Sequence, residues 1–511
     1  MKKWVNWSIF ALVGLLLAVG TLLIHYFVLP IAIHYQVTKT LALVNGTEAW
    51  DRFVNTPIPL ILNVYFFTLD NPEAILRGET PKLSQVGPYV YREKWEKVDI
   101  RVDEEKDTIS YRQKIDFVFD QELSGNLSDK DKVTMINPVI HVVTTIIDGL
   151  QALNLTNEIV EFALPTMAGQ ENYGPTLTAS VHDILLGGVR IHCSDSKAPF
   201  LTKFLCAAFK EILPMPYLTL LDNGDLLVTI LKFKELGPLM EMNRGSKDPD
   251  KIGRIISMDG RRELASWKCH SANVVNGYDM TMLSPFVSRD TIPLFTYDIQ
   301  STLQMDYLRD TTFQGIGGYR FVLSPDVFGD PATNPKSRCY CPGSIKNLTT
   351  PPPCMEGFGV LDLSSPMGAP VLLSNPHFYG ASENYLLGVK GMQPNKELHE
   401  SFLELEPTTG VPLQGKRRIQ VNVNAKRRTD VKLLRNHVNA VIPMMWIDEG
   451  ASLGDKEISM LKDQLLLVMN IENIGRWILF SIGILFLVIG VSMAVIRKRQ
   501  EDNDIYDLEE D

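Results

Sequence analysis

Six cysteines, Cys193, Cys206, Cys269, Cys339, Cys341 and Cys354, are the side chains whose type and spacing most directly imply chemistry. Thiols gathered in one part of a chain either close disulfides in an oxidising compartment or hold a metal. Only Cys339-Tyr-Cys341 has the compactness of a zinc pair, and no second close pair or partnering histidine completes it. Disulfides are therefore expected, although six thiols allow fifteen pairings and counting does not choose among them. Acceptor sequons at Asn45, Asn126, Asn154 and Asn347 point to the same lumenal or extracellular compartment. Signatures of catalysis are missing. His399-Glu400 is not followed by the second histidine of a zinc protease, there is no Gly-x-Ser-x-Gly elbow or phosphate loop, and Gly315, Gly317 and Gly318 lack dinucleotide-binding spacing. Neither an enzyme nor a bound cofactor or metal is predicted.

Two apolar runs decide where these residues reside. The first, Ile9 to Ile24, continues as far as Ile33, and the second is Trp477 to Ile496. At about 1.5 Å per residue each can cross a hydrocarbon core of about 30 Å. A cleavable signal peptide, the alternative for the first run, has a shorter apolar core and a small-residue cleavage site. Lys2 and Lys3 precede the first run, and Arg497, Lys498 and Arg499 follow the second, so both termini are predicted to be cytoplasmic. The expected order is a cytoplasmic N-terminus (1–7), a span (8–33), a glycosylated and disulfide-bonded ectodomain (34–474), a second span (475–496) and a disordered acidic tail (497–511). That tail holds no paired leucines after an acidic residue, and Tyr506 is followed three positions later by Glu509, so the plasma membrane is expected rather than the lysosome.

Period-two patterning dominates the ectodomain. Tyr111, Ile115, Phe117 and Phe119 share one face against Arg112, Lys114 and Asp116, which predicts a half-buried strand. Ile419, Val421 and Val423 alternate with Gln420, Asn422 and Asn424 in the same manner, and 60–69 and 319–323 are rich in aromatic and branched residues. Between about 139 and 213 the pattern turns helical, with Val142, Val143, Ile146, Ile147 and Leu150 on one stripe and Phe200, Phe204, Ala207 and Ala208 on another, both expected to be core. With 45% hydrophobic residues the chain has material for a large core, and its net charge of −10 and pI near 5.5 exclude a dedicated nucleic-acid binder.

Longer motifs carry a resemblance. NTPIPLILNVYFFTLDNPEAILRG at 55–78, VGPYVYRE at 86–93, VVNG at 274–277, CYC at 339–341 and NPHFYGAS at 375–382 occur in that order. GMQPNKELHESFLELEPTTGVPLQGKRRIQVNV at 391–423 and IPMMWIDEGA at 442–451 complete the series. Together with the terminal spans, they make the whole chain similar to the class B scavenger receptors, which include fatty acid translocase, the lysosomal integral membrane protein and insect sensory neuron membrane proteins. The resemblance implies bridges Cys269–Cys339 and Cys341–Cys354. A further family bridge would have its ends at Gln300 and Pro366, both of which are replaced here. The remaining pair, Cys193 and Cys206, resembles an extra pair of the sensory neuron subgroup, as does FDQELSGNLSDKDKVTMINP at 119–138. Tyr278 removes the sequon that relatives often carry at Asn276.

What the resemblance implies is an α+β fold, an antiparallel β-barrel ectodomain with a helical cap and an internal hydrophobic tunnel. It further implies a receptor that binds hydrophobic ligands, fatty acids or lipid-derived pheromones, and delivers them to the membrane or to a neighbouring odorant receptor, with carrier proteins or lipoproteins as further partners. The alternatives are a lipoprotein, carotenoid or lipid uptake receptor outside olfaction, and a lysosomal trafficking receptor. Lys197, Lys203 and Lys210 recur at roughly two-turn spacing in the cap segment and are candidate contacts for a ligand carboxylate or an anionic carrier; a solvated face is the competing reading.

Overall fold

The computed structural model describes residues 4–56, 58, 60–141, 159–169, 173–195, 197–211, 217–231, 234–279, 281–341, 357–367, 371–429, 431–463 and 467–509. These fall into two units, Met1–Leu41 with Leu453–Asp511, and Ala42–Ser452.

In the first unit a helical run from Trp4 to Leu41 contains a π-turn at Ile24–Val28, and a second helix runs from Leu467 to Glu509. Ser8–Leu41 and Glu472–Gln500 are each long and apolar enough to cross a membrane. The π-turn has a local cause. Leu29 N–H bonds to Ile24 O, five residues back, immediately before Pro30, whose ring would crowd the carbonyl of an ordinary α-turn. The disorder expected for the tail does not hold as far as Glu509. Arg497, Lys498, Arg499 and Gln500 are good helix formers placed on an already nucleated helix, so each added residue gains a hydrogen bond without a new nucleation cost.

Small residues let these two helices approach closely. A methyl group added to Gly490 would lie 2.6 Å from Ala11 N, and one added to Gly483 would lie 2.8 Å from Ala18 N. In lipid, where no hydrophobic effect draws helices together, such backbone proximity supplies the packing energy. Gly483→Leu is therefore expected to separate the pair. Cysteines placed at Phe10 and Phe486, whose rings lie 5.8 Å apart, should crosslink in the native background and not in the Gly483→Leu background. Undiminished crosslinking would show that the small residues do not set the packing.

The second unit is built on strands. In chain order they are β1 (Leu60–Leu69), β2 (Leu83–Asp103), β3 (Thr108–Phe119), β4 (Lys132–Ile136), β5 (Thr176–Ser180), β6 (Val189–Ile191), β7 (Leu218–Leu220), β8 (Leu226–Val228) and β9 (Leu236–Asn243). There follow β10 (Ile255–Met258), β11 (Ile292–Thr296), β12 (Ser301–Phe313), β13 (Ile316–Leu323), β14 (Val360–Asp362), β15 (Val371–Ser374), β16 (Phe402–Leu405), β17 (Pro412–Ala425) and β18 (Ala440–Ser452). The main sheet is antiparallel and runs β10-β9-β3-β2-β1-β18-β17-β16-β13-β12-β11, with β15 also paired to β17 and β14 to β15. Its two outer strands come together through a single short segment. Ile255 N–H bonds to Gly277 O at 2.8 Å, Tyr278 N–H to Pro293 O at 3.0 Å and Phe295 N–H to Tyr278 O at 2.9 Å, so the sheet curls into a nearly closed barrel. Gly277 is needed there. It has φ +97°, and a β-carbon would sit 2.7 Å from Pro293 O.

The expected strands at 60–69, 109–119 and 319–323 form, with Tyr111 and Ile115 buried as their alternation requires. Two expectations about burial are corrected. On β17 the polar residues Gln420 and Asn422 are fully buried, while Ile419 and Val421 are only half-buried. They are affordable inside because they are hydrogen-bonded: Gln420 Oε1 accepts from His377 N, and Asn422 Nδ2 donates to Ser374 Oγ at 3.1 Å. In the cap segment, the stripe of Val142, Val143, Ile146, Ile147 and Leu150 lies outside the described residues. What is described between 139 and 213 is mixed rather than purely helical, with β5, β6 and the helix Phe200–Glu211 in sequence. On that helix Thr202, Leu205 and Cys206 are buried, whereas Phe200 is 79% exposed and Phe204 and Ala207 are also exposed. Phe200, Phe204 and Ala207 of the stripe expected as core thus face outward, while Cys206, bonded to Cys193, faces inward.

Candidate functional site

The cap is pinned by chemistry that the sequence partly displays. Cys193 and Cys206 are bonded with Cα atoms 5.7 Å apart, tying the loop after β6 to the Phe200–Glu211 helix. Asp225, at the start of the β8 hairpin, accepts from Cys193 N at 2.7 Å and Ser194 N at 2.8 Å. Burial pushes its carboxyl up, but these donors outweigh that and hold it at about 2. Cys269 and Cys339 form a second bridge. Cys341 is also disulfide-bonded, and its expected partner Cys354 lies outside the described residues. Gln300 and Pro366, the positions of the replaced family bridge, remain in contact: Gln300 Nε2 donates to Pro366 O at 3.1 Å. A hydrogen bond thus stands where a covalent link would otherwise be.

Among the sequons, Asn45 and Asn126 are exposed, while Asn154 and Asn347 lie outside the described residues. The three lysines are not brought onto one helix. Lys203 and Lys210 belong to Phe200–Glu211, but Lys197 sits in the turn before it, because the helix begins only after Pro199. Lys197 and Lys203 are exposed beside Phe200, and the neighbouring turn, joined to the helix by Thr202 Oγ1 to Ala163 O, carries exposed Phe162. This part of the surface therefore presents aromatic rings with cations nearby in sequence.

Two buried clusters were not foreseen. In the first, the quoted motifs converge. His377 Nδ1 accepts from Gln393 N at 3.1 Å, so its proton lies on Nε2 and is donated to Gln85 Oε1 at 2.8 Å, the oxygen that also accepts from Trp446 Nε1 at 2.7 Å. His399 stacks on His377 with ring centres 4.5 Å apart, and Tyr65 stacks on Trp446 at 4.1 Å. Burial lowers both histidines to about 4, so the pair is neutral at pH 7.

The second cluster is ionic. Arg417 of β17 donates through Nη1 to Asp298 Oδ2 at 2.7 Å and through Nε to Glu449 Oε2 at 2.8 Å. Lys234 Nζ lies 3.4 Å from Asp298 and 3.6 Å from Glu449, and Trp95 Nε1 donates to Glu93 Oε2 at 2.7 Å. Asp298 follows β11, four strands from β17 along the sheet, and Lys234 precedes β9, four strands from β18. Neighbouring strands are about 4.8 Å apart, so these partners meet only across the concave side of the curled sheet. The cluster lies inside the barrel. A signal for it existed in the sequence: Arg417 shares strand parity with Ile419 and Val421, Glu449 with Ile447 and Met445, and Glu93 with Tyr91. A charge on the apolar parity of a strand is unusual enough to mark a site.

Comparison with known proteins agrees with this architecture. The CD36 family model matches residues 12–494. The chain is 31% identical to sensory neuron membrane protein 2 of Manduca sexta, covering 90% of this chain and 88% of the relative. It is 30% identical to sensory neuron membrane protein 1 of Heliothis virescens, over 90% and 86%, and 29% identical to sensory neuron membrane protein 1 of Apis mellifera, over 96% and 91%. The resemblance read from the motifs holds, and with it a membrane protein of scavenger-receptor type. A match spanning both apolar helices and the barrel between them means that the chain belongs to the CD36 family.

Proposed function

We propose that this protein is a cell-surface receptor that captures hydrophobic ligands, fatty acids or lipid-derived pheromones, and passes them to the membrane or to a neighbouring odorant receptor. The observation that carries the reading is the outward-facing aromatic patch of the cap, Phe162, Phe200 and Phe204, on a helix fixed by the Cys193–Cys206 bridge. Exposed rings held rigidly do not collapse into their own core, and patches of this kind mark binding surfaces. Lys197 and Lys203 beside them suit an anionic head group or an acidic carrier. Behind the cap, the curled sheet supplies an interior in which each methylene shielded from water gains about 0.8 kcal/mol, which favours a tunnel route over an aqueous crossing. The names of the relatives support the sensory assignment over general lipid uptake. The buried neutral histidines support the cell surface over an acidic lumen, where they would take up protons at the expense of the fold.

Uptake of a fluorescent long-chain acetate and a fluorescent fatty acid by cells expressing the full chain tests the reading. Expression is expected to raise uptake several-fold over untransfected cells. The F200D/F204D double variant, at equal surface abundance, is expected to lose most of that gain. No gain with the native chain would overturn the reading, and a full gain with the double variant would remove the cap patch from it.

A further inference from the structure

The ionic cluster inside the barrel is out of balance. Glu93, Asp298 and Glu449 bring three carboxylates, and Lys234 and Arg417 bring two cations. Glu93 and Glu449 are 3% exposed and Lys234 is 5% exposed. With all five ionised, one negative charge would be left uncompensated away from water, which proteins avoid by neutralising a group. Geometry selects the group. Arg417 and Lys234 hold Asp298 and Glu449 directly, whereas Glu93 receives only the indole N–H of Trp95. Burial first, and the Glu449 charge second, push the Glu93 carboxyl up to about 8, with Lys234, Trp95 and Arg417 only partly offsetting them. The other titratable group against the cluster, Tyr297, is pushed above its usual range by burial and stays protonated.

Because Glu93 Oε2 is occupied by Trp95, the proton resides on Oε1. That atom is wholly shielded from solvent and has no hydrogen-bond partner among the described residues. An enclosed O–H donor without an acceptor is a costly arrangement that a ligand oxygen would relieve. A further anion would not serve, since both cations are already matched and the excess negative charge would return.

We propose that Glu93 is a head-group anchor inside the barrel, a neutral carboxyl that donates its O–H to the carbonyl or hydroxyl oxygen of an uncharged long-chain lipid such as an ester, aldehyde or alcohol. This rests on the lipid-binding reading above and adds the class of head group that is retained. It places discrimination among uncharged head groups in the interior, while the cap patch with Lys197 and Lys203 serves first capture. A buried polar group left unpaired by a ligand lacking the matching oxygen is a strong source of selectivity.

Full-length protein in lipid nanodiscs, titrated with hexadecyl acetate, hexadecane and palmitate, tests the inference. Native protein is expected to hold the acetate about tenfold or more tightly than the other two near neutral pH. That advantage should fall as the pH rises through about 8 and Glu93 ionises. Glu93→Gln keeps a donor that cannot ionise, and should retain the advantage without the pH dependence. Glu93→Met should bind hexadecane as the native protein does and lose the preference for the acetate. Native protein that binds all three equally, or E93M that keeps the preference, would overturn the inference and leave the lipid-binding reading intact. Native protein that binds none of the three would overturn both. Should E93M fail to fold, E93Q decides the matter: an acetate affinity that still declines between about pH 7 and 9 would show that another group controls it.

Discussion

Replacing Arg417 by methionine is expected to destabilise the Ala42–Ser452 unit by about 3–5 kcal/mol, because Glu449 and part of Asp298 are left as buried charges without their guanidinium. Lys234 remains, 3.4 Å from Asp298 and 3.6 Å from Glu449, but one ammonium does not replace the donors of a guanidinium. The loss is read as a fall of several degrees in the thermal midpoint of the full-length protein in detergent. The double variant R417M/E449L removes the orphaned charge together with its partner and should recover part of the midpoint. A single variant as stable as the native chain would mean that the interior charges are solvated and the cluster is not enclosed.

The second large effect concerns acid. His377 and His399 are lowered to about 4 and His141 to about 3, in each case mainly by burial, and His437 is lowered as well. Each folded-state value lies below the unfolded value near 6.5, so the unfolded chain binds more protons as the pH drops. The stability these groups contribute is whole above about pH 6.5 and is lost as the pH falls toward 4. Glu93 acts in the opposite sense. Its raised value means that acidification from about 8 to 4.5 favours the folded state. The three histidines whose values are known, set against the one carboxyl, leave a net loss of about 3 kcal/mol between pH 7.5 and 5, and His437 adds to it in the same direction. Thermal midpoints measured across that range should fall toward acid, and H377Q/H399Q should flatten the curve. A midpoint independent of pH would show that the stacked imidazoles are accessible to protons in the folded state.

How much of this could be read from residues alone depended on which physical signal each element carries. Strands such as Leu60–Leu69 and Thr108–Phe119 announce themselves by period two, and the terminal helices by length and apolarity, since both signals are local. Burial of Gln420 and Asn422 was not legible, because which face of a strand is covered depends on β15 and on the turn carrying His377, which approach from more than forty residues away. The helix Phe200–Glu211 shows the same limit in reverse: Phe200, Phe204 and Ala207, expected as core, face outward, while Leu205 and the disulfide-bonded Cys206 face inward. The ionic cluster draws on five separate stretches of chain, so parity could flag Arg417, Glu449 and Glu93 as unusual, but only the curling of the sheet brings them together with Lys234 and Asp298. Tyr278, noticed only as the loss of a sequon, turned out to join the two ends of the sheet.

That joint makes the wall of the barrel anisotropic. Between β17 and β18 the ladder is continuous in register from Gln414 to Ala425, apart from one bulge, whereas β10 and β11 are joined only through the 273–278 segment among the described residues, by the backbone bonds of Gly277 and Tyr278 and by those of Leu264 N to Asn273 O and Val275 N to Arg262 O. Local opening follows the line of fewest hydrogen bonds, so fluctuations that part the wall concentrate there. A wall with such a seam would yield lengthwise there, as a slit, rather than at an end. In mechanical terms the cylinder is a sprung cuff, closed at rest, whose clasp is the short segment that carries Gly277 and Tyr278.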